Sequence, residues 1–175
     1  MECRTKMKVN EIFESLQGEG KYLGTPVLFV RLSGCTRKCS FCDTKYHING
    51  KQMNVDEVVK TVNESKLETV VWTGGEPMLQ QNKIYEVIRR THKRNHVETN
   101  GDILPSKPAH FDYIAFSPKE KESQDNIIKF CSVYGIDYDI KVVTDLELNK
   151  DMLKKATMLM PLTTDNYNHD VEVQR

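Results

Sequence analysis

Apolar residues along this chain follow two rhythms. Short runs rich in β-branched and aromatic residues alternate with stretches in which apolar positions recur every three or four residues. Residues 27–32 (Val-Leu-Phe-Val-Arg-Leu), 69–72, 96–99, 113–116, 138–143 and 158–162 read as six strands. Val55, Val58, Val59 and Val62 mark a helix that opens at Asn54, with Glu57 placed to complete a capping box. Ile84, Val87 and Ile88 mark a second helix, Ile127, Ile128, Cys131 and Tyr134 a third, and residues 146–153 a fourth. Residues 102–110 contain proline and lack periodicity, so a loop takes the place of a helix there.

Strands separated by helices imply a parallel sheet. The tight polar signatures all fall just after a strand: the cysteines at 35–42, Gly74-Gly75-Glu76-Pro77, Glu98-Thr99-Asn100-Gly101, and Ser117-Pro118-Lys119. A curled sheet gathers such loops around one mouth, whereas a flat sheet strings them along an edge. The expected fold is therefore α/β, a partial, open (β/α) barrel of about six mainly parallel strands, with residues 1–175 forming one domain.

Length and charge narrow the class. The 175 residues suit a single core. Lys+Arg 25 against Asp+Glu 25 gives a net charge of zero, so no electrostatic pull toward nucleic acid or an anionic membrane is expected. Residues 1–13 lack an apolar run of signal-peptide length, and a cytoplasmic protein is the expectation.

Three of the five cysteines, Cys35, Cys39 and Cys42, fall within eight residues. Three soft ligands in one loop suit an iron–sulfur cluster or zinc. Three thiolates on a four-iron cluster leave one iron open, whereas structural zinc needs a fourth ligand, for which His47 is available. Gly74-Gly75-Glu76-Pro77 reads either as a turn or as a place where backbone approaches a ligand. Arg31 shares a strand face with Phe29 and Ser33, opposite Leu28, Val30 and Leu32. It is thus an interior guanidinium or an ion-paired strand residue. Cys131 reads as a small core residue, and the cations at 89–94 as a solvated helix end.

The C-x3-C-x2-C loop, with Phe41 just before its last cysteine, resembles the radical S-adenosylmethionine superfamily. That resemblance implies that Cys35, Cys39 and Cys42 hold a [4Fe-4S] cluster whose open iron binds the methionine moiety of S-adenosylmethionine. It also implies cofactor contacts at Phe41, Gly75, Glu76, Ser117, Pro118 and Lys119, and, after the last strand, at Pro161, Leu162, Thr163 and Thr164. The segment 13–20 (Phe-Glu-Ser-Leu-Gln-Gly-Glu-Gly), Gly24-Thr25-Pro26, Phe29 to Leu32, and Cys42-Asp43-Thr44 resemble more closely the 7-carboxy-7-deazaguanine synthase family. The likeness runs from about residue 9 to the last strand. It implies a ring-contracting lyase that converts 6-carboxy-5,6,7,8-tetrahydropterin to 7-carboxy-7-deazaguanine with loss of ammonia, on the route to queuosine and other 7-deazapurines. Leu16, Gln17, Gly18 and Thr73 then line the pterin, Arg31 clamps its carboxylate, and Thr44 binds Mg²⁺. An electron donor such as flavodoxin and a homodimer are implied as partners, with no direct nucleic acid and no membrane.

The same resemblance implies a longer C-terminal segment with a histidine-containing motif, for which the stretch ending at Arg175 offers no equivalent. Two other readings stay open on the residues alone. A glycyl-radical activase shares the cysteine loop, and a metal-stabilised binding module needs the metal only for folding.

Overall fold

The computed structural model describes residues 5–40, 42, 48–145 and 147–162. Its centre is an eight-stranded sheet in the order β3-β1-β2-β4-β5-β6-β7-β8. Six strands run parallel: β2 (Pro26–Leu32), β4 (Thr69–Gly74), β5 (Arg94–Thr99), β6 (Tyr113–Phe116), β7 (Tyr138–Thr144) and β8 (Met158–Pro161). They are the six expected from the apolar runs. The sheet is open, with β3 and β8 at its edges.

Two antiparallel strands were not expected. β1 (Lys6–Leu16) pairs with β2, and β3 (Lys51–Asn54) pairs with the start of β1. A register irregularity between Val9 and Glu11 breaks the alternation of β1, so its buried Met7 and Val9 do not extend into a readable period. β3 is four residues long, contains one apolar residue, and lies at an edge.

The helices α1 (Val55–Glu64), α2 (Gln81–Ile88) and α3 (Lys121–Tyr134) cover one face of the sheet. Asn54 N donates to Glu57 Oε2 at 2.8 Å, the return arm of the expected capping box. The valines of α1 pack with Leu28, Val30, Leu32, Val70, Trp72, Val97, Ile114, Phe116, Ile140 and Val142 in the main core. Each such side chain contributes roughly 1.5–3 kcal/mol when fully buried. The expected fourth helix is a shorter, tighter turn at Lys150–Lys155, and residue 146 lies outside the described residues. Its sequence, Lys-Asp-Met-Leu-Lys-Lys, offers the core the buried Met152 and a partly buried Leu153. Residues 102–110 form a loop ending in a single turn at Pro108–His110.

Because side chains alternate along each strand, the residues between the core positions point to the opposite, concave face. Val27, Phe29 and Val71 form a small apolar cluster there, joined by Phe13. No helix among the described residues is long and apolar enough to cross a membrane.

Candidate active site

A cavity of about 520 Å³ opens at the C-terminal ends of the parallel strands. Its wall carries Cys35, Cys39 and Cys42 from the loop after β2, Gly74 and Gly75 at the end of β4, and Glu98 to Asn100 at the end of β5. Ser117 and Lys119 follow β6, while Met160, Pro161 and Leu162 come from the end of β8 and the residue after it. Arg31, Thr73 and Lys141 enter from inward positions of β2, β4 and β7.

The two glycines explain how the cysteine loop reaches this wall. A Cβ on Gly74, whose φ is +132°, would lie 2.1 Å from Leu32 O, and one on Gly75 would lie 2.1 Å from Gly34 O. Side chains at either position would force β4 away from the backbone that leads into Cys35. Gly75 N donates to Leu32 O at 3.2 Å and Glu76 N to Gly34 O at 2.8 Å, so strand end and loop are stitched together.

The loop itself is cross-tied. Arg37 N donates to Cys35 Sγ at 3.4 Å, and Cys42 N donates to Cys39 O at 3.3 Å. Burial pushes the Cys39 thiol above its usual value, while the nearby Lys119 charge works the other way. The thiols line one cavity, yet among the described residues no three potential ligands converge on a point that would hold a single metal ion. A donor set of three soft thiolates spread over one wall fits a polynuclear iron–sulfur group, in which each thiolate serves a different iron.

Lys119 Nζ donates to Ser117 Oγ at 2.9 Å, and burial holds the ammonium below the usual lysine value. Arg31 is both of the things that its strand position allowed. Its Nε donates to Glu11 Oε1 at 2.7 Å, its guanidinium lies 5.7 Å from the Phe13 ring centre, and it lines the cavity.

The loop between β1 and β2 forms the cavity floor. Gln17 is buried and its amide donates to Glu98 Oε1 at 2.9 Å, while Thr73 Oγ1 donates to Glu98 Oε2 at 3.0 Å. Glu19 accepts from Lys141 Nζ, and Lys21 and Tyr22 donate to Asp137 at 2.6 and 3.2 Å. The Tyr22 ring packs on His96 and Tyr113. One loop thus ties β1 and β2 to β5, β6 and β7 across the open sheet.

Several expected site residues are placed differently. Leu16 ends β1 at 59% exposure and does not line the cavity, because it precedes the turn that carries Gln17 inward. Glu76, expected to offer a carboxylate to the cofactor, is fully buried behind the wall. Its oxygens accept from Met78 N (2.9 Å), Thr99 Oγ1 (2.7 Å) and Asn100 N (2.8 Å). Burial pushes its carboxyl up to about 7 against those donors. Pro118 is buried between the two residues that do line the cavity. Gly18 is exposed beside the buried Gln17. Phe41, Asp43, Thr44, His47, Thr163 and Thr164 lie outside the described residues.

Comparison with known proteins agrees with this geometry. The radical SAM superfamily model matches residues 29–120. The 7-carboxy-7-deazaguanine synthase of Haemophilus influenzae is 35% identical over 162 residues, covering 89% of this chain and 75% of that protein. The chain belongs to this family, within the radical SAM superfamily. Membership implies a [4Fe-4S] cluster and S-adenosylmethionine as the groups that the cavity serves. The enzymes of the same name from Bacteroides thetaiotaomicron and Hyperthermus butylicus are 44% and 42% identical over 114 and 127 residues. These matches cover 65% and 66% of this chain, and 61% and 53% of the relatives, so the chain spans little more than half of their length. The crystal structure of QueE from Escherichia coli superposes with a TM-score of 0.59, covering 91% of this chain and 95% of that one. Its 17% identity makes this a likeness of fold.

The cavity also holds the inward Lys141, which no motif marks and which pairs with Glu19. The signal was available: Lys141 stands in the apolar run Ile-Lys-Val-Val as Arg31 stands in Val-Arg-Leu, on the face opposite Ile140 and Val142. The cross-ties of Thr36 and Arg37 had no such signal, since their partners lie more than 60 residues away.

Proposed function

We propose that this protein is a 7-carboxy-7-deazaguanine synthase, a carbon–nitrogen lyase acting on 6-carboxy-5,6,7,8-tetrahydropterin. The observation that carries the reading is the joint presence on one cavity wall of three thiols, the Gly74-Gly75 edge, and the polar set of Arg31, Thr73 and Glu98. Cys35, Cys39 and Cys42 would hold the cluster, and backbone at Gly75 with Ser117, Lys119, Pro161 and Leu162 would hold S-adenosylmethionine. When bound, these groups supply one-electron cleavage of the sulfonium and abstraction of a substrate hydrogen atom.

The protein's own part is to bind, orient and keep water out. Arg31 faces the cavity with a planar fork suited to a carboxylate, and its pairing with Glu11 and stacking on Phe13 fix the plane of that fork. Glu98, held by Gln17 and Thr73, presents a fixed acceptor to the N–H groups of a pterin. The floor loop excludes solvent from below. Substrate atoms equal product plus ammonia, so the overall conversion is redox-neutral.

The reading extends to parts that the cavity wall does not carry. Thr44 is the proposed Mg²⁺ ligand, a hydroxyl oxygen suiting a hard cation. A small electron-transfer protein such as flavodoxin is the proposed reductant, and a homodimer the proposed assembly.

Metal analysis tests the foundation. Anaerobically reconstituted protein is expected to bind about four irons with matching sulfide and to absorb broadly in the visible. Zinc in place of iron would support a binding module instead.

A further inference from the structure

We propose that Arg37, held by Asp102 and Glu120, is the positioning residue that keeps the cysteine loop in register with the cofactor-binding strand ends. The inference rests on the reading of Cys35, Cys39 and Cys42 as cluster ligands. Arg37 lies between the first two of them, in a segment without helix or strand that pays a high entropic cost to hold three thiols in place. Its guanidinium spans two carboxylates. Nε and Nη2 donate to Asp102 Oδ2 and Oδ1, both at 2.7 Å, and Nη1 donates to Glu120 Oε1 at 2.6 Å.

Each anchor belongs to a part of the cavity wall. Asp102 follows the turn that begins at Asn100, whose side-chain oxygen accepts from Asp102 N at 2.9 Å. Glu120 immediately follows Lys119 and stands at the N-cap position of α3. Thr36 reinforces the first anchor, donating to Asp102 Oδ2 at 2.7 Å and accepting from Asn100 Nδ2 at 2.9 Å. One planar cation therefore fixes the distance between the thiols, the end of β5 and the Ser117–Lys119 segment. The bidentate arm requires a guanidinium, since an ammonium reaches one carboxylate oxygen at a time. Glu120 is 63% exposed at its side chain against 17% for Asp102, which makes Asp102 the principal anchor.

The test follows iron loss from reconstituted protein into a ferrous chelator under anaerobic conditions, beside thermal melting of the metal-free protein. Arg37→Ala and Asp102→Asn are each expected to speed iron release by roughly ten- to a hundredfold, the scale of one or two charge-assisted hydrogen bonds. The double variant should be no faster than the quicker single one, and Arg37→Lys should fall between wild type and Arg37→Ala. The melting temperature of the metal-free protein should move by only a few degrees. Release at the wild-type rate in both single variants overturns the proposal while leaving the cluster reading intact. So does acceleration that Arg37→Lys fails to reduce and that tracks a large fall in melting temperature. Failure of the wild type itself to take up iron removes the cluster reading, and the proposal with it.

Discussion

Gly75 lies so close to Gly34 that a single added methyl group would meet the Gly34 carbonyl oxygen at 2.1 Å. This contact joins the end of β4 to the start of the cysteine loop, and Glu76 N seals it by donating to the same oxygen at 2.8 Å.

Gly75→Ala should therefore separate the two segments. Overpacking of this kind costs about 1–3 kcal/mol. Thermal melting should fall by several degrees at about 2–4 °C per kcal/mol for a chain of this size, and reconstituted iron should drop with it. Unchanged iron content and melting would show that the contact relaxes without consequence.

Arg31→Lys keeps a charge in the cavity but loses the fork and its stacking on Phe13. Loss of one charge-assisted hydrogen bond to the substrate carboxylate should cost about 1.5–3 kcal/mol, raising the apparent KM by roughly ten- to a hundredfold. Iron content and substrate-independent cleavage of S-adenosylmethionine should stay near wild type. Loss of the cluster in this variant would assign Arg31 to structure.

Lys141→Met strands the Glu19 carboxylate at the cavity floor. Because Glu19 keeps 31% side-chain exposure, the cost should be nearer about 1–3 kcal/mol than the larger figure for a sealed pair. Adding Glu19→Gln should recover part of that loss in denaturant unfolding. Purely additive losses would show that the two groups do not act as a pair.

Glu76 gives a pH signature. Its folded-state carboxyl is raised from the ordinary 4.5 to about 7, so the folded protein holds a proton that the unfolded chain has released. Its contribution to stability is fully present below about pH 4.5 and declines as pH rises toward 7, by up to about 3 kcal/mol. Relative to Glu76→Gln, which does not titrate, wild type should lose melting temperature across that window. A constant difference between the two proteins would show that the three donors to Glu76 hold it ionised throughout.

What could be read from the chain depended on periodicity and proximity. Strand cores such as Val-Leu-Phe-Val at 27–30, and the valines of α1, carry patterns that local sequence displays. The cysteines, Gly74-Gly75, Ser117 and Lys119 declare themselves by type and by position after a strand, and all of them meet on the cavity wall. β1 stayed hidden because its irregularity breaks the alternation, and β3 because four residues at an edge need no apolar pattern. Local sequence does not display which way the Glu76 side chain turns. Its neighbour Gly75 lines the cavity, but three donors from residues 78, 99 and 100 draw its carboxylate inward.

One anaerobic assay addresses the reaction itself. Reconstituted protein, S-adenosylmethionine, Mg²⁺, a reductant and 6-carboxy-5,6,7,8-tetrahydropterin are combined, and the products are followed by mass. The expected products are 7-carboxy-7-deazaguanine and ammonia in equal amounts over several turnovers. Protein that carries its cluster and cleaves S-adenosylmethionine yet leaves the pterin intact would contradict the proposed function.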